Sequence, residues 1–286
     1  MTRRLALLSV ACLALGQASA QPVQLAPDER RLATALAQLE PQRPGIVDAY
    51  VVVAALDTDP VFDREAREAG RVLAGRFNAR GRTIVLAEDE GNDRADAAGT
   101  PAHLATALGR AAAVMDRDED VLILYTTSHG SPHAGLNYKH VVYGSGTITP
   151  PQLAAMLAAG GVRNRLVILQ ACFSGQFVPA LATPRTVVAT AASSMRSSFG
   201  CTADNDWTFF GHALINQAMR KPDTFVRQFR RAVVTIIGWE AKLGIAPSNP
   251  QINVGSETGA WLAALDARAG AVPSAPVGRP PSELAD

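Results

Sequence analysis

Leu166-Val167-Ile168-Leu169-Gln170-Ala171-Cys172-Phe173-Ser174-Gly175 is the stretch that decides the fold. Four consecutive apolar residues read as a short strand buried on both faces of a sheet. The apolar run stops at Phe173-Ser174-Gly175, so Cys172 falls where the strand gives way to a loop at its carboxyl end. Open α/β sheets place their ligands on that rim. Val121-Leu122-Ile123-Leu124-Tyr125 has the same design and leads through Thr126-Thr127 into Ser128-His129-Gly130-Ser131. If the two strands are parallel neighbours, His129 and Cys172 emerge on one rim. A thiol beside an imidazole is the minimum for a nucleophilic cysteine, because the ring accepts or holds the thiol proton. Gly130 has no side chain, so its backbone N–H can face a reacting oxygen, joined by the N–H of Cys172.

Working outward, Ile46 to Leu56, centred on Tyr50-Val51-Val52-Val53, reads as the first central strand. Phe62, Ala66, Ala69, Val72, Leu73 and Phe77 fall at intervals of three and four, the pattern of an amphipathic crossover helix. A strand over Thr83–Ala87 and a helix over Ala102–Met115 follow. Leu136 to Ile148, with Gly144-Ser145-Gly146, predicts a small hairpin over the rim. Thr149 caps a helix that carries Pro150 in its first turn and Leu153, Met156 and Leu157 inward. Beyond Cys172 come a strand over Thr186–Thr190 and helices over Trp207–Met219 and Phe225–Leu243. The repeated order strand, helix, strand predicts an α/β fold with a mainly parallel sheet and helices on both faces.

The ends of the chain differ from this middle. Residues 1–20 are expected to be a signal peptide: Arg3 and Arg4 precede the apolar run Leu5–Leu15, and Ala18-Ser19-Ala20 has the small-x-small form of a cleavage site. That run falls short of the ~20 apolar residues that span a bilayer. The expected fate is export, periplasmic or secreted, and not as a lipoprotein, since Ser9 stands where a lipoprotein signal wants a leucine before Cys12. Residues 21–44 are expected to form an N-terminal arm with one helix, Asp28 to Leu39. Residues 45–270 form the main domain. Residues 271–286, with Pro273, Pro276, Pro280 and Pro281, are expected to be a disordered tail.

A formal net charge of +1, losing two arginines with the leader, offers nothing to nucleic acid or an anionic membrane. Cys172 and Cys201 are too few for a disulfide framework, so the core must come from apolar burial. The acids Glu88, Asp89, Glu90, Asp93 and Asp96 lack the spacing of a calcium loop and read as a solvated surface. His129 and His133 lie four apart, but Gly130-Ser131-Pro132 between them does not make the helix that a zinc pair needs. Ser174 lacks the G-x-S-x-G elbow of serine hydrolases. No metal or cofactor is expected.

At these residues the chain resembles the legumain-type (C13) family of caspase-like cysteine peptidases, in its bacterial branch. The matches are His129-Gly130, the block Gln170-Ala171-Cys172-Phe173-Ser174-Gly175, the segment Ala191 to Cys201, and Asp206-Trp207-Thr208-Phe209-Phe210-Gly211; Pro250 to Gly255 resembles the family's closing strand. The resemblance implies a caspase-like peptidase domain acting on peptide or protein substrates. It makes Cys172 the nucleophile and His129 its acid–base partner, with the N–H groups of Gly130 and Cys172 as the oxyanion site. Two rivals remain: a transamidase or ligase using the same dyad, and a non-catalytic binding module.

The same resemblance assigns a substrate pocket to Gln170, Ser198, Arg64 and His212. Ser198 matches a pocket serine and Arg64 substitutes for a pocket arginine. Gln170 stands where the family has an acid two residues before the nucleophile. Thr208-Phe209-Phe210-Gly211-His212 aligns with Thr-Tyr-x-Gly-Asp, which puts His212 in place of the second acid. The family's asparagine after the first strand does not carry over to Asp57-Thr58-Asp59-Pro60, so the resemblance identifies no orienting residue there. With both acids gone, the residue before the scissile bond is expected to be neutral, because a buried unpaired cation is costly.

Overall fold

The computed structural model describes residues 27–89, 93–281 and 284. The expected signal peptide, and residues 21–26 of the expected arm, lie outside the described residues. The chain opens with α1 (Pro27–Ala37), β1 (Ala49–Ala55), α2 (Pro60–Arg76), β2 (Thr83–Leu86), α3 (Pro101–Val114) and β3 (Val121–Thr127). Three small strands follow, β4 (Gly130–Ser131), β5 (Gly135–His140) and β6 (Gly144–Ile148), then α4 (Pro150–Ala159) and β7 (Asn164–Gln170). The last part holds α5 (Val178–Leu181), β8 (Thr186–Thr190), α6 (Phe209–Gly211), α7 (Phe225–Leu243), β9 (Gln251–Val254) and α8 (Gly259–Ala267).

The main sheet has six strands in the order β2-β1-β3-β7-β8-β9, parallel except for β9, which runs antiparallel to β8. The fold is thus α/β with a mainly parallel sheet, as the alternation of elements predicts. Helices cover both faces. Val51, Val53, Ile123, Tyr125 and Ile168 pack with α2, α7 and α8, while Val52, Leu122, Leu124, Val167 and Leu169 pack with α1, α3, α4 and α5. Burial on both faces explains why these strands are apolar runs rather than alternations. Each such side chain contributes about 1.5–3 kcal/mol from apolar area alone.

Connections place the rim. From β1 the chain crosses through α2 to β2 at the edge, then returns through α3 on the opposite face to β3 on the other side of β1. The strand order therefore reverses between β1 and β3, which opens a crevice beyond their carboxyl ends. The crossover helices are set by their first turns: Pro60, Pro101 and Pro150 occupy the opening positions, and Thr100 and Thr149 accept the cap hydrogen bonds. Thr149 and Gln152 form a reciprocal capping box.

Two expectations need correction. The helix expected over Trp207–Met219 is only briefly α-helical, at α6, and continues as a π-helix over His212–Ala218. The proline-rich segment is not free along the residues described. Val272 packs on the main core, and main-chain groups from Gly270 to Arg279 are hydrogen-bonded to the body. Composition missed this because main-chain and Trp, Asn and Asp side-chain bonds, rather than apolar burial, hold most of the segment. No helix among the described residues is long and apolar enough to cross a membrane.

Candidate active site

β3 and β7 are parallel neighbours whose last matched pair is Thr127 and Gln170. His129 and Cys172 each lie two residues beyond that pair, so both emerge on one rim at the same height. The close approach there needs glycine: a Cβ on Gly130 would lie 2.0 Å from the carbonyl oxygen of Cys172. The histidine loop is pinned by Asn137, whose N–H donates to the His129 carbonyl at 2.9 Å and whose side chain accepts from Ser131 Oγ at 2.8 Å. Phe173, directly after the cysteine, takes a left-handed conformation with φ 58°. That bend turns the chain sharply off the strand, and its strain is of the kind found at functional turns.

The Ser-Gly that follows serves packing. Ser174 Oγ accepts from Ala192 N at 3.2 Å, and a Cβ on Gly175 would lie 2.5 Å from Ser194 N. These contacts bring the segment after β8 against the cysteine. Ser198 N–H donates to Cys172 Sγ at 3.3 Å, and Sγ lies 3.4 Å from the Ser198 carbonyl. An N–H aimed at sulfur favours a developing thiolate. Cys172 and Cys201 are both free thiols.

His129 has a partner that the motifs did not reveal. Its Nε2 lies 2.9 Å from Asp59 Oδ2, and the edge of Phe62 meets the ring at 4.9 Å between centroids. Asp59 sits at the start of α2, yet its side chain makes no cap hydrogen bond. The carboxylate is turned to the imidazole instead. An Nε2–H donated to Asp59 leaves Nδ1 as the basic nitrogen. The stretch Asp57-Thr58-Asp59-Pro60, in which the motifs identified no orienting residue, thus supplies the partner of His129. The available signal was an acid immediately before a helix-opening proline, at the end of the first strand.

A model of the peptidase C13 family matches residues 99–259, more than half of the chain. The chain belongs to the peptidase C13 family. Its legumain-type motifs and caspase-like α/β architecture agree with that membership, and its chemistry is that of a cysteine peptidase or transamidase family. No curated protein matches the chain. The span matched by the C13 model contains His129, Gly130, Gln170, Cys172, Ser198 and His212, and leaves out Asp59 and Arg64.

The residues expected in the C13 substrate pocket are placed differently from one another. Ser198 lies against the cysteine, as described. Gln170 is fully buried beneath the rim, with Oε1 3.5 Å from both Ser128 N and Thr127 Oγ1 and with Nε2 lacking a partner. Arg64 is used to hold a loop: it pairs with Asp206 at 2.8 Å and donates to the carbonyls of Ala203 and Asn205. His212 is buried with Nδ1 3.0 Å from Asn216 Nδ2 and Nε2 3.0 Å from Gln217 Nε2, and its ring stacks on Trp239 of α7. Burial lowers its pKa to about 4, so the ring is neutral. Arg64 and His212 are therefore committed to loop and helix packing, roles that an aligned motif cannot distinguish from substrate binding.

A second missed residue is Glu65, fully buried below the site. Its carboxylate accepts from Tyr125 Oη at 2.6 Å, Thr208 N at 2.7 Å and Thr208 Oγ1 at 2.8 Å. Burial raises its pKa, opposed by those hydrogen bonds. A Cβ on Gly211 would lie 2.2 Å from Glu65 Oε2, so the glycine of the Phe-Phe-Gly block makes room for this acid. The signal lay in the helix pattern: Glu65 falls inside the apolar stripe of Phe62, Ala66 and Ala69. An acid there must have buried partners.

Proposed function

We propose that the chain is an exported cysteine endopeptidase whose nucleophile is Cys172. The observation that carries the reading is the Asp59–His129 hydrogen bond beside Cys172, on the crevice where the strand order reverses. Export rests on the sequence of residues 1–20 alone.

The thiol proton reaches His129 Nδ1 by way of solvent on the rim, and the sulfur attacks the scissile carbonyl carbon. The oxyanion is met by the N–H groups of Gly130 and Cys172. As the intermediate collapses, the carbon–nitrogen bond breaks and the leaving amine takes the proton from His129, giving an acyl-enzyme. Water, deprotonated by the same ring, then releases the acid and restores the thiol. Asp59 keeps Nε2 protonated and balances the imidazolium formed between these transfers, a positioning role like that of the acid in a serine triad. Among the described residues, the sulfur is hydrogen-bonded to Ser198 and not to His129, so the ring is left to meet the nitrogen of a bound peptide.

The partnering of the nearby acids favours a neutral residue before the scissile bond. Gln170, in place of an acid, is uncharged and fully buried, the Glu65 carboxylate is taken up by Tyr125 and Thr208, and Asp206 is paired with Arg64. A lysine or arginine would enter without a counter-charge. The test is an unbiased peptide library incubated with purified mature protein, with and without an added amine. Cleavage before which neutral residues predominate is the expected result. Strong selection for a basic residue there would overturn the pocket assignment, and amine-coupled products in place of acids would make the enzyme a transamidase.

A further inference from the structure

The C-terminal segment from Gly270 to Arg279 crosses the body as a strap. It starts where Gly270 N donates to the Arg76 carbonyl of α2 at 3.1 Å, and Arg220 Nη1 then donates to the Pro273 carbonyl at 3.2 Å. The tightest seat is at Val277-Gly278-Arg279. The fully buried Asn216 pairs its side-chain amide with the main chain of Val277: Val277 N to Oδ1 at 3.0 Å, and Nδ2 to the Val277 carbonyl at 2.9 Å. Trp207 Nε1 donates to the same carbonyl at 2.8 Å. Arg279 N donates to Asp206 Oδ2 at 2.6 Å, and Asp206 N returns a bond to the Arg279 carbonyl at 3.3 Å. Between them Gly278 has φ +75°, and a Cβ there would lie 2.9 Å from Asp206 Oδ2. Glycine is required on both counts.

What this seat holds is the loop that reaches Cys172. Asp206 and Trp207 end a loop that begins at Ser198, whose N–H faces the Cys172 sulfur. The loop closes on itself through Asn205 Nδ2 to the Gly200 carbonyl at 2.9 Å and Phe209 N to the Phe199 carbonyl at 3.0 Å. Arg64 ties the same loop to the amino-terminal half of α2, the helix that Asp59 opens. The strap therefore joins the last residue of α2 to the loop that reaches Cys172.

We propose that the strap is a positioning clamp: seated through Val277-Gly278-Arg279, it orders the Ser198–Asp206 loop as the wall along which a peptide substrate lies. This rests on the cysteine-peptidase reading. Unseating the strap then weakens substrate binding and leaves the chemistry at Cys172 in place. The test compares the full chain, Gly278→Val, and a chain ending at residue 270. Gly278→Val removes the seat with one substitution, so it reports even where the shortened chain does not fold.

The expected result is a KM for a peptide substrate raised by roughly tenfold, the loss of about one good hydrogen-bonded contact. Over the same comparison kcat and the rate at which iodoacetamide labels Cys172 stay within about twofold. Amide hydrogen exchange in residues 198–206 should quicken, and a synthetic peptide of residues 271–286 added to the shortened chain should restore KM. Unchanged KM and unchanged exchange in Gly278→Val would overturn the clamp, as would kcat falling in step with melting temperature. Exchange separates the two readings: if the native chain cleaves no peptide while exchange still quickens, the peptidase reading fails, the strap still orders the loop, and its role as a substrate wall is overturned.

Discussion

The two ends of the same three strands treat their polar residues in opposite ways. At the amino ends of β1, β3 and β7 stand Asp48, Asp120 and Asn164, all nearly fully buried. Asp48 accepts from Arg43 N at 2.9 Å and Arg43 Nε at 3.1 Å, with Arg82 at 3.7 Å. Asp120 accepts from the N–H groups of Asp48 and Asp116, each at 2.8 Å. Asn164 donates to the carbonyls of Asp118 and Glu119 and accepts from Arg185. At the carboxyl ends stand Asp59, His129 and Cys172, partly exposed and with few partners. Saturated polar groups hold a fold; unsaturated ones on a rim leave room for substrate.

That contrast fails first if the rim is inert. Cys172→Ala should abolish turnover, and His129→Ala should cost 10²–10⁴-fold, the usual contribution of a general acid–base group. The double variant should be no worse than Cys172→Ala, since both residues serve one step. Steady-state rates checked against melting curves decide it: either single variant retaining more than about a tenth of the native rate contradicts the assignment.

Asp59 sharpens the comparison, because its carboxylate is hydrogen-bonded to the rim histidine. Asp59→Ala should lower kcat/KM by about 10- to 100-fold or more, and Asp59→Asn, which carries no charge to balance the imidazolium, should not rescue it. Melting temperature should barely move, since the carboxylate is half exposed and caps no helix. Equal losses in stability and activity would make Asp59 a structural residue of the kind found at the other end.

The opposite substitution, at the amino end, should spare activity and reduce stability. Burial alone would push the Asp48 carboxyl up; hydrogen bonds from the Arg43 side chain and backbone and the charge of Arg82 outweigh it and hold the pKa below its ordinary value. Asp48→Ala should cost about 2 kcal/mol near neutral pH, less than a fully buried pair because Arg43 faces solvent. A carboxyl lowered on folding contributes stability above the usual carboxylate range and loses it as pH falls through the native value. The gap between native chain and variant in urea melts should therefore close in acid. A gap undiminished at about pH 2 would assign the loss to packing.

Much of this was legible in the chain itself. The apolar runs at Tyr50–Val53, Val121–Tyr125 and Leu166–Leu169 are local signals of buried strands, and the glycines and polar residues after them mark strand ends, so the rim positions of His129 and Cys172 follow from spacing. Thr149 and Pro150 announce their helix in the same local way. Family motifs drew attention to Ser198, whose backbone lies against the Cys172 sulfur.

What the sequence alone did not decide were choices between equivalent local candidates. Asp57 and Asp59 are both acids after the first strand; only the strand order, which sets β1 beside β3, brings Asp59 to a histidine seventy residues later. Arg64 and His212 have the right chemistry for a pocket, but tertiary neighbours absorb them: Asp206 and loop carbonyls for one, Asn216, Gln217 and Trp239 for the other. Glu65 has buried partners drawn from β3 and from the segment before α6. The strap reads as disorder by composition because its docking is made by main-chain hydrogen bonds to Asn216, Trp207 and Asp206. Local pattern fixes which face of an element is buried; which polar group meets which depends on how elements distant in sequence are brought together, and that is set by the packed sheet.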